Sequence, residues 1–286
     1  MTMMSGKTCL VTGATSGIGQ ETAARLAGLD ATVIVVARNQ ARGTAACEEI
    51  RRRVPDAQVE ALTADLSVMA QVRRLAEEVQ ARHERLDVLV NNAGVISTRR
   101  RTTADGFETT FATNHLSPFL LTGLLRGLLE RSAPARVVTV SSAAHKSVRA
   151  IPWDDLPTGA GAASGQTYPL SKLLNILFTT ELARRLEGAG VTANCLHPGF
   201  IRTALGRDVT GLMGALVRVA LRFQPGPETG AETSVYLASS PDVAEVTGGY
   251  FVKCRLTEPS ALARDAQAAA RLWTLSQECA GLAPAP

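Results

Sequence analysis

The sequence passes four times from a short run rich in β-branched residues to a longer helical pattern, and this alternation constrains the fold more than any other feature. The pairs are TCLVTGA with 17–29, ATVIVVA with 40–53, AQVEALTAD with 68–84 and LDVLVNNAG with 105–130; a fifth run, ARVVTVSS, follows. Repeated strand–helix–strand units place their strands parallel in one sheet. The runs VIVVA and RVVTVSS are almost unbroken in apolar residues, as strands are when helices cover both faces. Beyond residue 163 the pattern continues with a helix to about 187, a strand at GVTANCLH, a helix at 227–239 and a strand near GGYFVK. In the tail, Leu262, Ala266, Ala269, Leu272 and Leu275 recur at helical spacing before Gly281, predicting a C-terminal helix packed on the body.

With 286 residues, 45% apolar and 20% charged, the chain can bury a full core. The expectation is an α/β fold: a Rossmann-like, doubly wound parallel sheet of about seven strands, in one domain over 1–286. Its C-terminal extension covers about 254–286. The start of the chain lacks the pattern of a secretory peptide, and no apolar run approaches the ~18 residues of a membrane span, so the reading is cytoplasmic with no transmembrane segment. Cys9, Cys47, Cys195, Cys254 and Cys279 are odd in number and contain no CxxC, against both a disulfide framework and zinc. The histidines His83, His115, His145 and His197 also lack ligand spacing, so no metal is expected. The net charge of +4 comes from arginine; the RRR runs at 51–53 and 99–101 lack aromatic company and read as solvated faces, not a nucleic-acid surface.

The first strand runs into TGATSGIG, placing Gly13, Gly17 and Gly19 between a strand and a helix, with Thr15, Ser16 and Ile18 in the same turn. Such glycines let backbone approach a phosphate, and the helix N-terminus offers N–H groups and positive potential. A plain tight turn is the alternative, but the position at the first strand–helix junction favours a nucleotide. Dinucleotide folds commonly end the second strand in an acid that binds the adenosine ribose; here Ala37 and Arg38 follow VIVVA. A guanidinium binds a 2′-phosphate that a carboxylate would repel, so the expected cofactor is NADP(H). Arg38 as a solvated surface residue is the other reading.

Tyr168 and Lys172 stand four apart in YPLSK. With three tyrosines and four lysines in the chain, chance gives such spacing about 4% of the time. On a helix the spacing sets both on one face. At ~5 Å and an effective dielectric of ~20, an ammonium favours a phenolate by ~3 kcal/mol, about 2 pK units, which would bring the phenol toward its working range.

The set TGATSGIG, NNAG, YPLSK and HPG, spread in this order from 12 to 199, strongly resembles the short-chain dehydrogenase/reductase family. The resemblance extends through ADLS, DGFETTFATNHLSPFLLT and RLWTLSQECAGL. VSSAAHK, IPWDDL, SKLLNILFTTELARRL and GVTANCLHPGFIRT point to its retinol dehydrogenase branch. It implies an oxidoreductase in which Tyr168 exchanges a proton with the substrate oxygen, and Lys172 supports it and binds the nicotinamide ribose. Ser142 would donate to the substrate oxygen, and fits better than Ser141, which a continuing strand turns to the opposite side. Asn114 would complete the catalytic set through a water on Lys172; a satisfied core amide is the alternative. The resemblance also assigns Asn91 to Gly94, with Asn91, Ala93 and Gly94 foremost, to the cofactor beside the fourth strand. Asp65 with Leu66 would lie at the adenine, and Pro198, Gly199, Ile201 and Thr203 near the nicotinamide and pyrophosphate.

Two departures stand out. Pro169 directly follows the catalytic tyrosine and suits a helix only in its first turn. The interval from Ser142 to Tyr168 is about twice the usual family length and contains Trp153 and the run TGAGAASG. Residues 209–223, within a stretch of about 200–225 where the family carries a mobile lid, are mostly apolar and imply a lipophilic small-molecule substrate. An ordinary core helix is equally compatible, and a peripheral membrane contact less so. Reduction of a conjugated C=C bond and a non-catalytic NADP-sensing protein are the rival functions; an intact Ser142, Tyr168, Lys172 and Asn114 weighs against the second. The family often pairs through the helices around Asn114 and Tyr168, implying a homodimer or homotetramer.

Overall fold

The computed structural model describes residues 3–97, 101–156, 166–199 and 226–282. Its strands are β1 (Thr8–Thr12), β2 (Thr32–Ala37), β3 (Val59–Thr63), β4 (Val88–Asn91), β5 (Ala135–Val140), β6 (Val191–His197), β7 (Tyr250–Val252) and β8 (Arg255–Leu256). They form one sheet in the order β3-β2-β1-β4-β5-β6-β7-β8. The first seven are parallel; β8 is a two-residue antiparallel edge, reached through Lys253 and Cys254, both with positive φ. The expected seven strands are thus joined by an eighth too short to leave a β pattern in the sequence.

Side chains alternate between the two sheet faces. Cys9, Val11, Val33 and Val35 pack on one side with helices α1 (Gly17–Gly28), α2 (Gln40–Arg53) and α7 (Pro227–Ser239). Leu10, Ile34 and Val36 pack on the other, with α3 (Met69–Arg82), α5 (Ser117–Arg131), α6 (Thr167–Arg185) and α8 (Ala266–Ala280). Because both faces are buried, the central strands β1, β2, β4 and β5 are almost wholly covered and show apolar runs, whereas β3 nearer the edge is half-buried.

Three helix starts differ from the sequence reading. The helix expected from 105 begins at α4 (Thr109–Phe111), because Thr103–Gly106 forms a turn with Gly106 at φ +85. Glu108 then caps it, accepting from the Phe111 N–H at 2.8 Å. A π-helical turn over Ala112–Leu116 joins α4 to α5. The C-terminal helix begins at Ala266, where Asp265 accepts from the N–H groups of Gln267 and Ala268; Leu262 lies in a separate short turn. Gly281 ends it in the left-handed region, φ +57, as expected of a C-terminal glycine. Helix α6 starts at Thr167, so Pro169 falls in its first turn, where a missing N–H breaks no helical bond.

Helix α8 lies across α5 and α6. Trp273 sits edge-on to Phe119, with centroids 4.9 Å apart, and parallel to Phe178 at 6.1 Å, while the Arg185 guanidinium covers its ring at 4.4 Å. Trp153, from the lengthened interval, is covered in the same way by Arg271 of α8.

Candidate active site

The strand order reverses around β1, which lies between β2 and β4, and opens a crevice at their carboxyl ends. Two turns meet there, one after β1 and one after β4. Gly13 has φ +65, and a Cβ on it would stand 2.8 Å from the Ala93 Cα. A Cβ on Gly19 would stand 2.3 Å from the Asn92 amide nitrogen and 2.6 Å from the Gly13 carbonyl. Only glycine lets these backbones come so close. Thr12 binds the turns together: its Oγ1 accepts from the N–H groups of Asn92 and Ala93, both at 3.0 Å. Asn92 donates from its side chain to the Thr12 carbonyl at 2.8 Å. Ser16 precedes α1 in extended conformation, and its side chain makes no cap, so the first-turn N–H groups stay available to an anion. Thr15 and Ser16 stay accessible beside this turn and Ile18 anchors it from below.

The other cofactor candidates are spread along the same edge. Arg38 is exposed directly after β2. Asp65 follows β3, where its carboxylate accepts from the Ser67 N–H at 2.9 Å and hydroxyl at 2.7 Å; Leu66 is buried beside it. Asn91 is buried and donates to the Thr122 hydroxyl in α5 at 3.0 Å, so its side chain holds the sheet to that helix. Pro198 and Gly199 follow β6, Gly199 with φ +94. Ile201, Thr203 and the apolar stretch at 200–225 lie outside the described residues, as does the Gly/Ala run at 157–165.

The catalytic candidates converge at the end of β5. The Ser141 hydroxyl turns into the protein and donates to the Lys172 carbonyl at 2.7 Å, leaving Ser142 to face the crevice side, as strand alternation requires. Ser142 opens a short turn over Ala143–Ser147, its hydroxyl accepting from the Ala144 N–H at 3.2 Å. Tyr168 is the second residue of α6, and the Lys172 ammonium lies 5.7 Å from its ring centroid. Lys172 is buried and donates to the Val140 carbonyl at 2.9 Å.

Asn114 sits in the π-helical turn, fully buried. Its Oδ1 accepts from the Val95 N–H at 2.7 Å, and its Nδ2 donates to the Val95 carbonyl and the Ser171 hydroxyl, both at 3.0 Å. Ser171 in turn donates to the Tyr168 carbonyl at 2.8 Å. Asn114 therefore ties the loop after β4 to the first turn of α6. A side chain on Gly94 would touch both Lys172 and Asn114, at 3.5 and 3.6 Å, so this glycine keeps the space between them open.

Charge states depart from the sequence reading in one respect. Burial pushes the Tyr168 phenol above its usual range and outweighs a hydrogen bond from Ser142 that pulls it down. The expected lowering by Lys172 does not prevail: the ammonium lies over the ring, 5.7 Å from its centroid, and donates to the Val140 carbonyl. Burial also lowers Lys172 to about 8. At neutral pH the pair is thus a protonated phenol and a largely charged lysine: a proton donor with a cation behind it.

Thr12 and Ser171 escaped the sequence reading as site residues. Their one local signal is position, at a strand end or one helical turn from Tyr168; their partners are set by the packing of distant segments. Among the described residues no cluster of three metal-ligating side chains occurs, and no helix is long and apolar enough to cross a membrane.

Comparison with known proteins places this geometry. The family model for short chain dehydrogenases matches residues 7–211. Human retinol dehydrogenase 14 is 44% identical, over 98% of this chain and 88% of its own length; human retinol dehydrogenase 12 is 42% identical, with the same two coverages. A crystal structure of an uncharacterised protein from Mycobacterium paratuberculosis is 36% identical with TM-score 0.77, covering 97% of this chain and 94% of that one. The complex of Pseudomonas aeruginosa RhlG with NADP is 29% identical with TM-score 0.69, over 87% of this chain and 95% of RhlG.

Proposed function

This chain belongs to the short chain dehydrogenase family, and from that premise we propose that it is an NADP(H)-dependent oxidoreductase acting on the carbonyl or alcohol group of a lipophilic small molecule. The observation that carries this reading is the convergence of Ser142, Tyr168 and Lys172 at the end of β5, with the glycine-packed backbone turn around Gly13 and Gly19 at the same edge of the sheet.

When bound, the nicotinamide supplies hydride in reduction and accepts it in oxidation. Tyr168, protonated at neutral pH, delivers its proton to the substrate oxygen as charge develops there. Ser142 donates a hydrogen bond to the same oxygen, an interaction that strengthens as the oxygen becomes negative. Lys172 stabilises the phenolate left behind, and in oxidation the same groups run in reverse. Gly13, Gly19 and the first turn of α1 fit the pyrophosphate, and Arg38 suits a 2′-phosphate because its charge is exposed where the second strand ends. Two relatives are named for retinol, an apolar alcohol, which agrees with the apolar composition of 209–223. The free thiols of Cys9, Cys47 and Cys195, all buried, suit the reducing cytoplasm we assign to the enzyme. Pairing through α5 and α6 would have to include or displace α8, which covers them.

The test is NADPH oxidation by purified protein against a panel of lipophilic ketones and aldehydes, with product analysis. Turnover to alcohols supports the reading; saturated products from enones with the carbonyl intact would replace it with C=C reduction.

A further inference from the structure

His145 has no part in the chemistry above, yet it is buried three residues after Ser142 and both of its ring nitrogens are engaged. Its Nδ1 lies 2.7 Å from the Ser142 carbonyl oxygen, which also accepts from the His145 backbone N–H at 3.2 Å. Its Nε2 lies 3.2 Å from the backbone nitrogen of Ser260, beyond β8 in the C-terminal segment. A backbone N–H can only donate, so Nε2 must be the acceptor and Nδ1 must carry the proton. This assignment also satisfies the other contact, because a carbonyl oxygen can only accept. The Tyr250 ring stands edge-on at 5.2 Å and keeps the imidazole upright.

We propose that His145, as the neutral Nδ1–H tautomer, is a positioning residue that fixes the direction of the Ser142 hydroxyl by clamping the turn after β5 to the C-terminal segment. Resting on the oxidoreductase reading, the proposal deepens it. Ser142 sits at the start of that turn, and the imidazole gives its carbonyl a second donor and carries the link on to Ser260. Burial also disfavours a second ring proton, which would set donor against donor at Ser260. Misplacement of a reacting group by ~1 Å can cost ~10²-fold in rate, so a loose Ser142 should lower turnover without touching the nucleotide cradle.

The experiment compares His145→Phe, which keeps a ring against Tyr250 but neither hydrogen bond, with His145→Asn, which can still donate to the Ser142 carbonyl. In His145→Phe, kcat should fall about tenfold or more with NADPH affinity unchanged, and His145→Asn should recover most of the loss. Ser260→Pro attacks the clamp from its other end: Ser260 already has φ −61, so the backbone accommodates proline, but the N–H and the hydroxyl are lost and the ring Cδ pushes against Nε2, so kcat is expected to fall here as well. Nitrogen-15 spectra of the full chain should show the His145 ring proton on Nδ1. Wild-type kcat in His145→Phe or in Ser260→Pro, equal losses in His145→Phe and His145→Asn, or a ring proton on Nε2 would each overturn the proposal. Tyr168→Phe, assayed in parallel, separates the two levels: if it retains turnover the proposed chemistry fails, whereas an inactive Tyr168→Phe beside a fully active His145→Phe refutes the role of His145 alone.

Discussion

The two ends of the crevice are made of different materials. At the nucleotide end the surface is main chain, brought together by glycines that have no room for a Cβ and by the Thr12 and Asn92 bonds beneath them. At the catalytic end of the proposed site the functional atoms are side chains, Asn114 and Lys172 oriented by partners far away in sequence (Val95 and Ser171, and Val140) and Ser142 by the adjoining turn that His145 ties to Ser260. A backbone site fails when bulk is added, whereas a side-chain site fails when a partner is removed. Binding and turnover should therefore separate cleanly between the two ends.

The largest expected effect is at the catalytic end. Tyr168→Phe should lower kcat by about 10²–10⁴-fold, the usual share of a general acid, while NADPH titration shows unchanged affinity. Loss of binding in that variant would break the separation. At the other end, Gly19→Ala forces a methyl group against Asn92 and Gly13, and should weaken NADPH binding and cost about 1–3 kcal/mol of stability by denaturant titration. Arg38→Asp should shift preference from NADPH toward NADH by roughly 10–100-fold in kcat/KM, the range of a charged hydrogen bond, leaving the maximal rate nearly constant. Retained selectivity would move 2′-phosphate recognition elsewhere.

Smaller effects follow from pH. With Lys172 lowered to about 8, its ammonium is present through neutrality, so kcat/KM for reduction should be flat there and fall above about 8, by about tenfold per unit. Lys172→Arg, charged throughout, should move that limb upward; an unmoved limb would assign it to another group. Stability should respond in the acid direction. Burial lowers His115 from 6.5 to about 3 and His197 from 6.5 to about 4, so both are neutral when folded. The unfolded chain binds more protons in this window, and stability should decline as pH falls from about 6.5 toward 3. Urea midpoints at pH 7 and 5 would measure the slope, which should flatten in His115→Gln.

Much of this was readable in the chain. Strand and helix order, the glycine turn and the face shared by Tyr168 and Lys172 all follow from short-range patterns, since they depend on residues within a turn or two of one another. Less local features were misread or missed. The turn at Thr103–Gly106 delays α4, β8 is too short to pattern, and the Tyr168 phenol is shifted upward, not downward, because burial competes with the lysine charge. Ser171 has only its place one helical turn from Tyr168 to mark its role.

The sequence by itself determined a parallel sheet wrapped by helices, with a glycine turn at its first junction and a phenol one helical turn from an ammonium, because periodicity and spacing are local properties. Only the tertiary structure decided which groups are charged and which helix covers α5 and α6. Desolvation and hydrogen-bond pairing depend on segments far apart in the chain that meet in space, such as His145 and Ser260, 115 positions apart.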